Sequence, residues 1–320
     1  LKEGFLMKTI AIHQFGSAQE LQETELTQLP LQKNEILITN HAFSINPMDI
    51  AGRLGMLDKP FNELWSFPIV LGWDFAGLVA QVGSDVTSYQ VGDPVFGNAP
   101  TVRPGNNGTY SESIITTPEL IAPIPAGLSF DKAAALPIAG LTAYCAIVKN
   151  LSLQENQKIL IQGGAGGVGL IAVQIAKALG AYVAATASPS NHALLKEMGV
   201  DELIDYNQVS PGDVLQDYDA VFDTAGDIDS GLNVLKADGK LVTVAAQPTP
   251  EQQQDQQKQV SFQFTNGTSE DLTALANLTL EGKINLQLTI MPLSVENVQK
   301  AHEMIEGRHT RGKIVIHVKD

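Results

Sequence analysis

Residues 159–169, Ile-Leu-Ile-Gln-Gly-Gly-Ala-Gly-Gly-Val-Gly, run an apolar strand straight into a glycine turn that opens a helix. Gly164, Gly166 and Gly169 satisfy G-x-G-x-x-G, the dinucleotide fingerprint. In that reading Gly164 permits the tight turn, Gly166 lets the backbone approach a pyrophosphate, and Gly169 lets the helix pack on the strand. The N–H groups of Gly167 and Val168 open a helix over 167–179, whose positive end faces the anion. A lone glycine motif is weak evidence. Here it follows the strand 158–162 and leads through a long apolar helix into a second strand, Tyr182–Thr186, the context the motif requires.

The pattern continues beyond the motif. Helices are expected at Phe130–Ala135, Gly140–Asn150, Asn191–Met198 and Ile228–Leu235, and strands at Glu202–Ile204, Ala220–Asp223 and Lys240–Ala245. Alternation of this kind implies a parallel sheet wound on both faces. The first 120 residues read differently, as short β runs (Thr9–Ile12, Glu35–Ala42, Gly77–Val82, Tyr110–Thr116) broken by Gly, Pro and Asn. Glu251–Gln259, EQQQDQQKQ, reads as a solvated loop or frayed helix. Beyond it are expected a helix at Ser269–Glu281, a strand at Gln287–Ile290, a helix at Val295–Ile305 and a closing strand over Gly312–Val318.

Composition narrows the partners. A net charge of −15 over 320 residues disfavours nucleic acid and anionic membranes, which need clustered Lys and Arg. The single cysteine, Cys145, excludes an intramolecular disulfide and a multi-cysteine zinc site. It lies in an apolar helical stretch and reads as a buried structural thiol. The six histidines show no metal spacing. No secretory signal is apparent, Met7 reads as a natural start, and a cytoplasmic protein is expected. The sequons at Asn107, Asn150, Asn266 and Asn277 carry no weight without export.

Further blocks occur in order: Ile45-Asn46-Pro47-Met48-Asp49, Gly72-Trp73-Asp74-Phe75-Ala76-Gly77, Gly92-Asp93-Pro94-Val95-Phe96-Gly97 and Leu136–Ala143. The glycine turn, Ile204-Asp205-Tyr206, Phe222-Asp223-Thr224 and Arg311-Gly312-Lys313-Ile314-Val315 complete the set. Together they resemble the medium-chain dehydrogenase/reductase superfamily, specifically its zinc-independent quinone-oxidoreductase branch, over Met7–Val318. The resemblance implies an α/β fold in which a doubly wound parallel Rossmann sheet, residues 125–284, is inserted in a GroES-like β-rich catalytic domain, residues 1–124 and 285–320. A homodimer is the expected assembly.

The departures from the alcohol dehydrogenases of that superfamily carry information. Those enzymes place a zinc-binding cysteine and histidine where this chain resembles them at Asn46 and Trp73, and neither replacement is such a ligand. Without a Lewis acid, hydride transfer needs an acceptor already polarised, a quinone or an α,β-unsaturated carbonyl. By resemblance Asn46 lies near nicotinamide and acceptor, although Asn-Pro also suits a turn. Thr142 resembles the threonine beside the nicotinamide ribose, although a helical threonine can simply back-bond. Asp49 either orients Asn46 or caps a helix, and Tyr110 reads as a strand entry rather than a proton donor.

Cofactor choice rests on the loop after Thr186. An NAD enzyme usually carries Asp or Glu there to accept from the ribose 2′-hydroxyl. Here Ala187-Ser188-Pro189-Ser190-Asn191-His192 offers none. Ser188, Asn191 and Tyr206 could instead donate to a 2′-phosphate, which favours NADPH, and Ala245 completes the expected contacts. The leading expectation is NADPH-dependent reduction of a quinone or enone. The alternatives are an enoyl-thioester reductase of the same superfamily and a nucleotide-binding protein without turnover.

Overall fold

The computed structural model describes residues 5–57, 65–100, 108–254, 257–264, 267–307 and 310–319. The sequons at Asn107 and Asn266, His309 and part of the Gln-rich run lie outside them. The chain divides into two compact units, residues 1–138, 268–277 and 287–320, and residues 139–267 with 278–286. The first boundary falls at 138 rather than 124 because helix Phe130–Ala134 packs on strands Ile36–Ile45 and Asp74–Val82. Beyond that helix, the Ile138 N–H donates to Asp74 Oδ1 at 2.9 Å.

The first unit is the β-rich one. Strand Ile36–Ile45 sits inside a seven-stranded sheet, antiparallel to Asp74–Val82 on one side and to Lys313–His317 on the other. The expected strand Tyr110–Thr116 is shorter, Ser113–Thr116, because Thr109 and Tyr110 turn away to bond Gly72 and Leu71. The helix that the capping alternative for Asp49 implied, Pro47–Arg53, follows the central strand, with Pro47 in its first turn where a missing N–H costs nothing. Its Ile50 packs with Phe43, Ile45, Tyr110, Val298, Ala301 and Ile314 in one apolar core. That core takes in Val298 and Ala301 of the helix Val295–Glu306, which buries the polar His302 as well.

The second unit holds six strands in the order 202–204, 182–186, 158–162, 218–223, 235–243, 259–262, all parallel. Numbered within the unit this is 3-2-1-4-5-6, so the strand order reverses between 158–162 and 218–223, where such sheets bind their ligands. Strand 158–162 is buried after its first residue, as a central parallel strand must be. One expectation fails here. The helix over 140–150 is Pro137–Tyr144 followed by a wider π-turn, Cys145–Asn150. The Gln-rich run, expected as a solvated loop or frayed helix, includes most of a short helix, Pro250–Gln253, capped reciprocally by Thr249 and Gln252, and its last residue, Gln259, opens the sixth strand. Among the described residues no helix is long and apolar enough to cross a membrane.

Candidate functional site

In the second unit the expected cofactor residues gather at the C-terminal ends of the parallel strands. The left-handed residue of the glycine turn is Gly163, at φ +78°, and not Gly164. Gly164 is needed for a different reason: a Cβ there would lie 2.9 Å from the Ala185 Cβ on the neighbouring strand. Gly169 is bound more tightly still, since its Cβ would fall 2.2 Å from the Gly163 carbonyl oxygen. Gly166 is the opposite case. It is the N-cap of helix Gly167–Ala178, and a Cβ on it would meet only the Gly163 oxygen, at 3.5 Å. The space above Gly166 is open, and the first-turn N–H groups of Gly167, Val168 and Gly169 have no intrahelical acceptor. A pyrophosphate fits such a cradle, and any side chain at Gly166 would fill it.

Thr186 ties the turn to the next strand: its hydroxyl accepts from Gly163 N–H at 2.9 Å and its carbonyl from Gly164 N–H at 3.0 Å. The loop after it brings Ser188 and Asn191 together, with Asn191 Nδ2 donating to Ser188 Oγ at 3.1 Å. Asn191 Oδ1 is buried without a partner, so the amide has polar capacity to spare. His192 Nε2 lies 3.1 Å from the Ala187 carbonyl, which only accepts, so that nitrogen carries the hydrogen. Tyr206, 57% exposed, follows strand 202–204 at the same edge as the Ser188 loop. Ala245 follows strand 235–243, its N–H donating to Thr243 Oγ1 at 3.3 Å. The Thr142 carbonyl accepts from Gln263 Nε2 at 3.0 Å.

Sequence reasoning did not assign Asp223 a role. Its Oδ1 accepts from the N–H groups of Ala225 and Gly226 at 2.9 and 2.8 Å, and its Oδ2 from the Thr243 hydroxyl at 2.7 Å. It therefore shapes the turn on the far side of the switch point. The available signal was an acid directly after the apolar run Ala220–Phe222.

In the first unit Asn46 sits in a buried polar cluster. Its Oδ1 accepts from Lys313 Nζ at 2.5 Å and its Nδ2 donates to Asp74 Oδ2 at 2.9 Å. Asp74 also receives Ser44 Oγ at 2.7 Å and Asn98 Nδ2 at 3.1 Å, besides the Ile138 N–H. Lys313 further donates to the Ile45 carbonyl at 3.1 Å and lies 3.6 Å from Asp74 Oδ2. Burial pulls the Lys313 ammonium below its ordinary range, against the two carboxylates Asp74 and Asp49 that hold it up.

Asp49 serves both readings left open for it. It accepts from the Asn46 N–H at 2.5 Å, the return limb of a helix capping box, and so fixes Asn46 as well. Burial pushes its pKa up to about 8, with the Asn46 N–H opposing and Asp74 adding to the rise. The Tyr110 hydroxyl faces it and is itself driven well above the usual phenol range by burial and by Asp49's charge. Behind Tyr110 stand His302, 2.9 Å from the phenol through Nε2, and Arg53, whose Nε donates to His302 Nδ1 at 3.2 Å. Arg53 donates to the Gly16 carbonyl as well and pairs with Glu306 at 2.8 Å.

The order of donors in this row is fixed by its far end. Arginine only donates, so His302 Nδ1 accepts, the ring hydrogen resides on Nε2, and Nε2 donates to the Tyr110 oxygen. The phenol hydrogen is left for Asp49. Burial and the neighbouring guanidinium hold the His302 pKa down at about 3. A guanidinium cannot pass a proton on, so the row is a strut that fixes Asp49 and not a wire to solvent.

No group of three or more His, Cys, Asp or Glu residues with metal-binding geometry occurs among the described residues. Cys145 forms no disulfide and is buried in the second unit.

Comparison with known proteins decides the family. Residues 32–126 match the model of the alcohol dehydrogenase GroES-like domain, and residues 198–316 that of the zinc-binding dehydrogenases. A 2-methylene-furan-3-one reductase of Solanum lycopersicum is 32% identical over 97% of this chain and 79% of its own. The chain belongs to the medium-chain dehydrogenase/reductase superfamily. Within that superfamily it falls in the quinone oxidoreductase-like branch. A quinone oxidoreductase from Coxiella burnetii superposes with a TM-score of 0.89 at 34% identity, covering 98% of this chain and 100% of the other. The Escherichia coli quinone oxidoreductase, solved with NADPH, gives 0.85 at 28% identity, covering 97% and 100%. This medium-chain dehydrogenase/reductase is an oxidoreductase.

Proposed function

We propose that the protein reduces enones or quinones with NADPH and without zinc. The observation that carries the reading is the donor set around Asn46. Positions 46 and 73 hold an amide and an indole, and the Lys313 ammonium lies 2.5 Å from Asn46 Oδ1. A metal cation would have to displace or face that buried ammonium, and neither an amide oxygen nor an indole supplies a ligand of a tetrahedral N/S set. The residues present do not fit zinc.

They do fit a dinucleotide. The enzyme binds NADP(H), which supplies a hydride when bound. The turn at 163–169 would hold the pyrophosphate, Thr142 and Ala245 would flank the nucleotide, and Ser188, Asn191 and Tyr206 would take the 2′-phosphate. Asn46 donates to the acceptor's carbonyl oxygen. In an enone the arriving electron pair forms the new C–H bond at the β-carbon, and the π electrons move onto that oxygen. Water then protonates the α-carbon and the saturated ketone forms. In a quinone the same two electrons aromatise the ring, and water protonates the oxygens. An amide donor aimed at a developing oxyanion contributes typically 10²–10³ in rate.

NADPH oxidation measured against a panel of quinones, enones and simple ketones, with zinc analysis of the same sample, tests the reading. Turnover of the first two classes alone, insensitive to chelator, is expected. Chelator-sensitive turnover of simple ketones, or no turnover of any acceptor, would overturn it.

A further inference from the structure

We propose that Lys313 is a positioning residue for Asn46: its ammonium fixes and polarises the Asn46 amide so that the amide's remaining N–H is the donor to the acceptor's oxygen. The proposal rests on the assignment of Asn46 above and goes beyond it. Asn46 has two N–H donors and one carbonyl oxygen. The oxygen is taken by Lys313 at 2.5 Å and one N–H by Asp74 at 2.9 Å. The second N–H finds no acceptor among the described residues. Lys313 donates to Asn46 Oδ1 and to the Ile45 carbonyl at 3.1 Å, and its ammonium is ion-paired with Asp74 Oδ2 at 3.6 Å.

The amide therefore cannot flip. A reversed amide would set Nδ2 against an ammonium and Oδ1 against a carboxylate, two repulsions in place of two bonds. The polarity of the contacts also matters. A cation at the oxygen end and an anion at one N–H draw electron density from nitrogen toward oxygen, which makes the free N–H a stronger donor. Both charges are buried, Lys313 at 5% and Asp74 at 0% side-chain exposure, so water screens neither. The strained economics of burying an ammonium are hard to explain by stability alone, because buried ion pairs seldom repay their desolvation.

The test uses the whole enzyme, steady-state kinetics with α,β-unsaturated ketones of graded electron demand, and NADPH affinity by fluorescence. Asn46→Ala, Lys313→Met and the double variant are compared. Lys313→Met is expected to lower kcat by roughly 30- to 100-fold, somewhat less than loss of a whole donor. KM and NADPH affinity should stay within about threefold, and the loss should be smaller for the most electron-poor ketones. In the Asn46→Ala background the same change should cost less than about threefold, since a residue acting through Asn46 has nothing left to act on. Multiplicative losses, or wild-type kcat in Lys313→Met, overturn the proposal while leaving the NADPH-dependent activity intact. Wild-type kcat in Asn46→Ala overturns both it and the assignment of Asn46, whereas an inactive wild type overturns the functional reading itself. Should Lys313→Met not fold, Lys313→Arg carries the test: it keeps the charge but not the single-point contact, and an unchanged kcat overturns the proposal.

Discussion

On the glycine turn of residues 163–169 the groups offered to a nucleotide are main-chain N–H groups, whereas around Asn46 every polar group of consequence except the Ile45 carbonyl and the Asn46 and Ile138 N–H groups is a side chain. The first site is defined by what cannot be present: a Cβ at Gly164 or Gly169 collides within the protein, and a Cβ at Gly166 would fill the cradle. The second is defined by what must be present: an ammonium, two carboxylates, an amide, a phenol and an imidazole in one order. Backbone-built sites fail by obstruction and side-chain-built sites by lost partners, and the two failures separate experimentally.

The largest effects should come from the turn. Gly169→Ala should destabilise the protein by about 3 kcal/mol or abolish folding, because the new atom meets a carbonyl held by the Gly163 backbone. Gly166→Val should leave the melting temperature within a few degrees yet weaken NADPH binding at least 100-fold, about 2.7 kcal/mol. Calorimetry and nucleotide titration distinguish them; a Gly166→Val protein that binds NADPH normally breaks the comparison. Next in size, Asn46→Ala should cut kcat roughly 10²-fold with NADPH affinity unchanged, the mirror image of Gly166→Val.

A smaller effect is expected from Asp49→Asn, and its sign is the informative part. Burial raises the Asp49 pKa from 3.8 to about 8, so the folded protein holds this proton more tightly than the unfolded chain. Wild-type stability therefore falls as pH rises from about 4 to about 8, and Asp49→Asn lacks that fall. Denaturant titrations should show the variant gaining on the wild type progressively across this window. A constant difference would mean that Asp49 is ionised throughout. His302 acts with the opposite sign: its folded pKa of about 3 lies below 6.5, so its contribution is lost as pH falls below about 6.5.

The smallest change concerns cofactor choice. Neutral donors hold a phosphate less well than arginine, so NADPH should be favoured over NADH by about 10- to 100-fold, roughly 1.4–2.8 kcal/mol. Ser188→Asp should reverse the ratio, since its carboxylate would repel the 2′-phosphate and accept from a 2′-hydroxyl. Equal use of both cofactors by the wild type would show that the loop reads neither.

The same contrast explains what the sequence disclosed. The turn lies within seven consecutive residues, and glycine requirements print directly into the chain. The strand Tyr182–Thr186 was legible with the same bounds because a buried parallel strand is a short apolar run, and the edge strand Glu202–Ile204 also keeps its expected bounds. The sixth strand was not legible: Gln259–Phe262 lies at the sheet edge, where alternate residues face solvent and a Gln-rich composition is tolerated. Around Asn46 the partners come from positions 44, 49, 74, 98 and 313, and the strut behind Asp49 from 53, 110 and 302. No local spacing links them. Asn46 was singled out by resemblance and Lys313 passed as part of a strand, because only the pairing of Lys313–His317 with Ile36–Ile45 brings the two together.

The 267-residue separation of Asn46 and Lys313 has a consequence in time. At roughly 5–20 residues per second, a ribosome that has released Asn46 needs about 13–53 s more to make Lys313. Throughout that interval Asp49 and Asp74 exist on a nascent chain without the cation that later neutralises them. The intervening Rossmann sheet has all its strands before then, so one half of the enzyme can be finished while the other is still waiting.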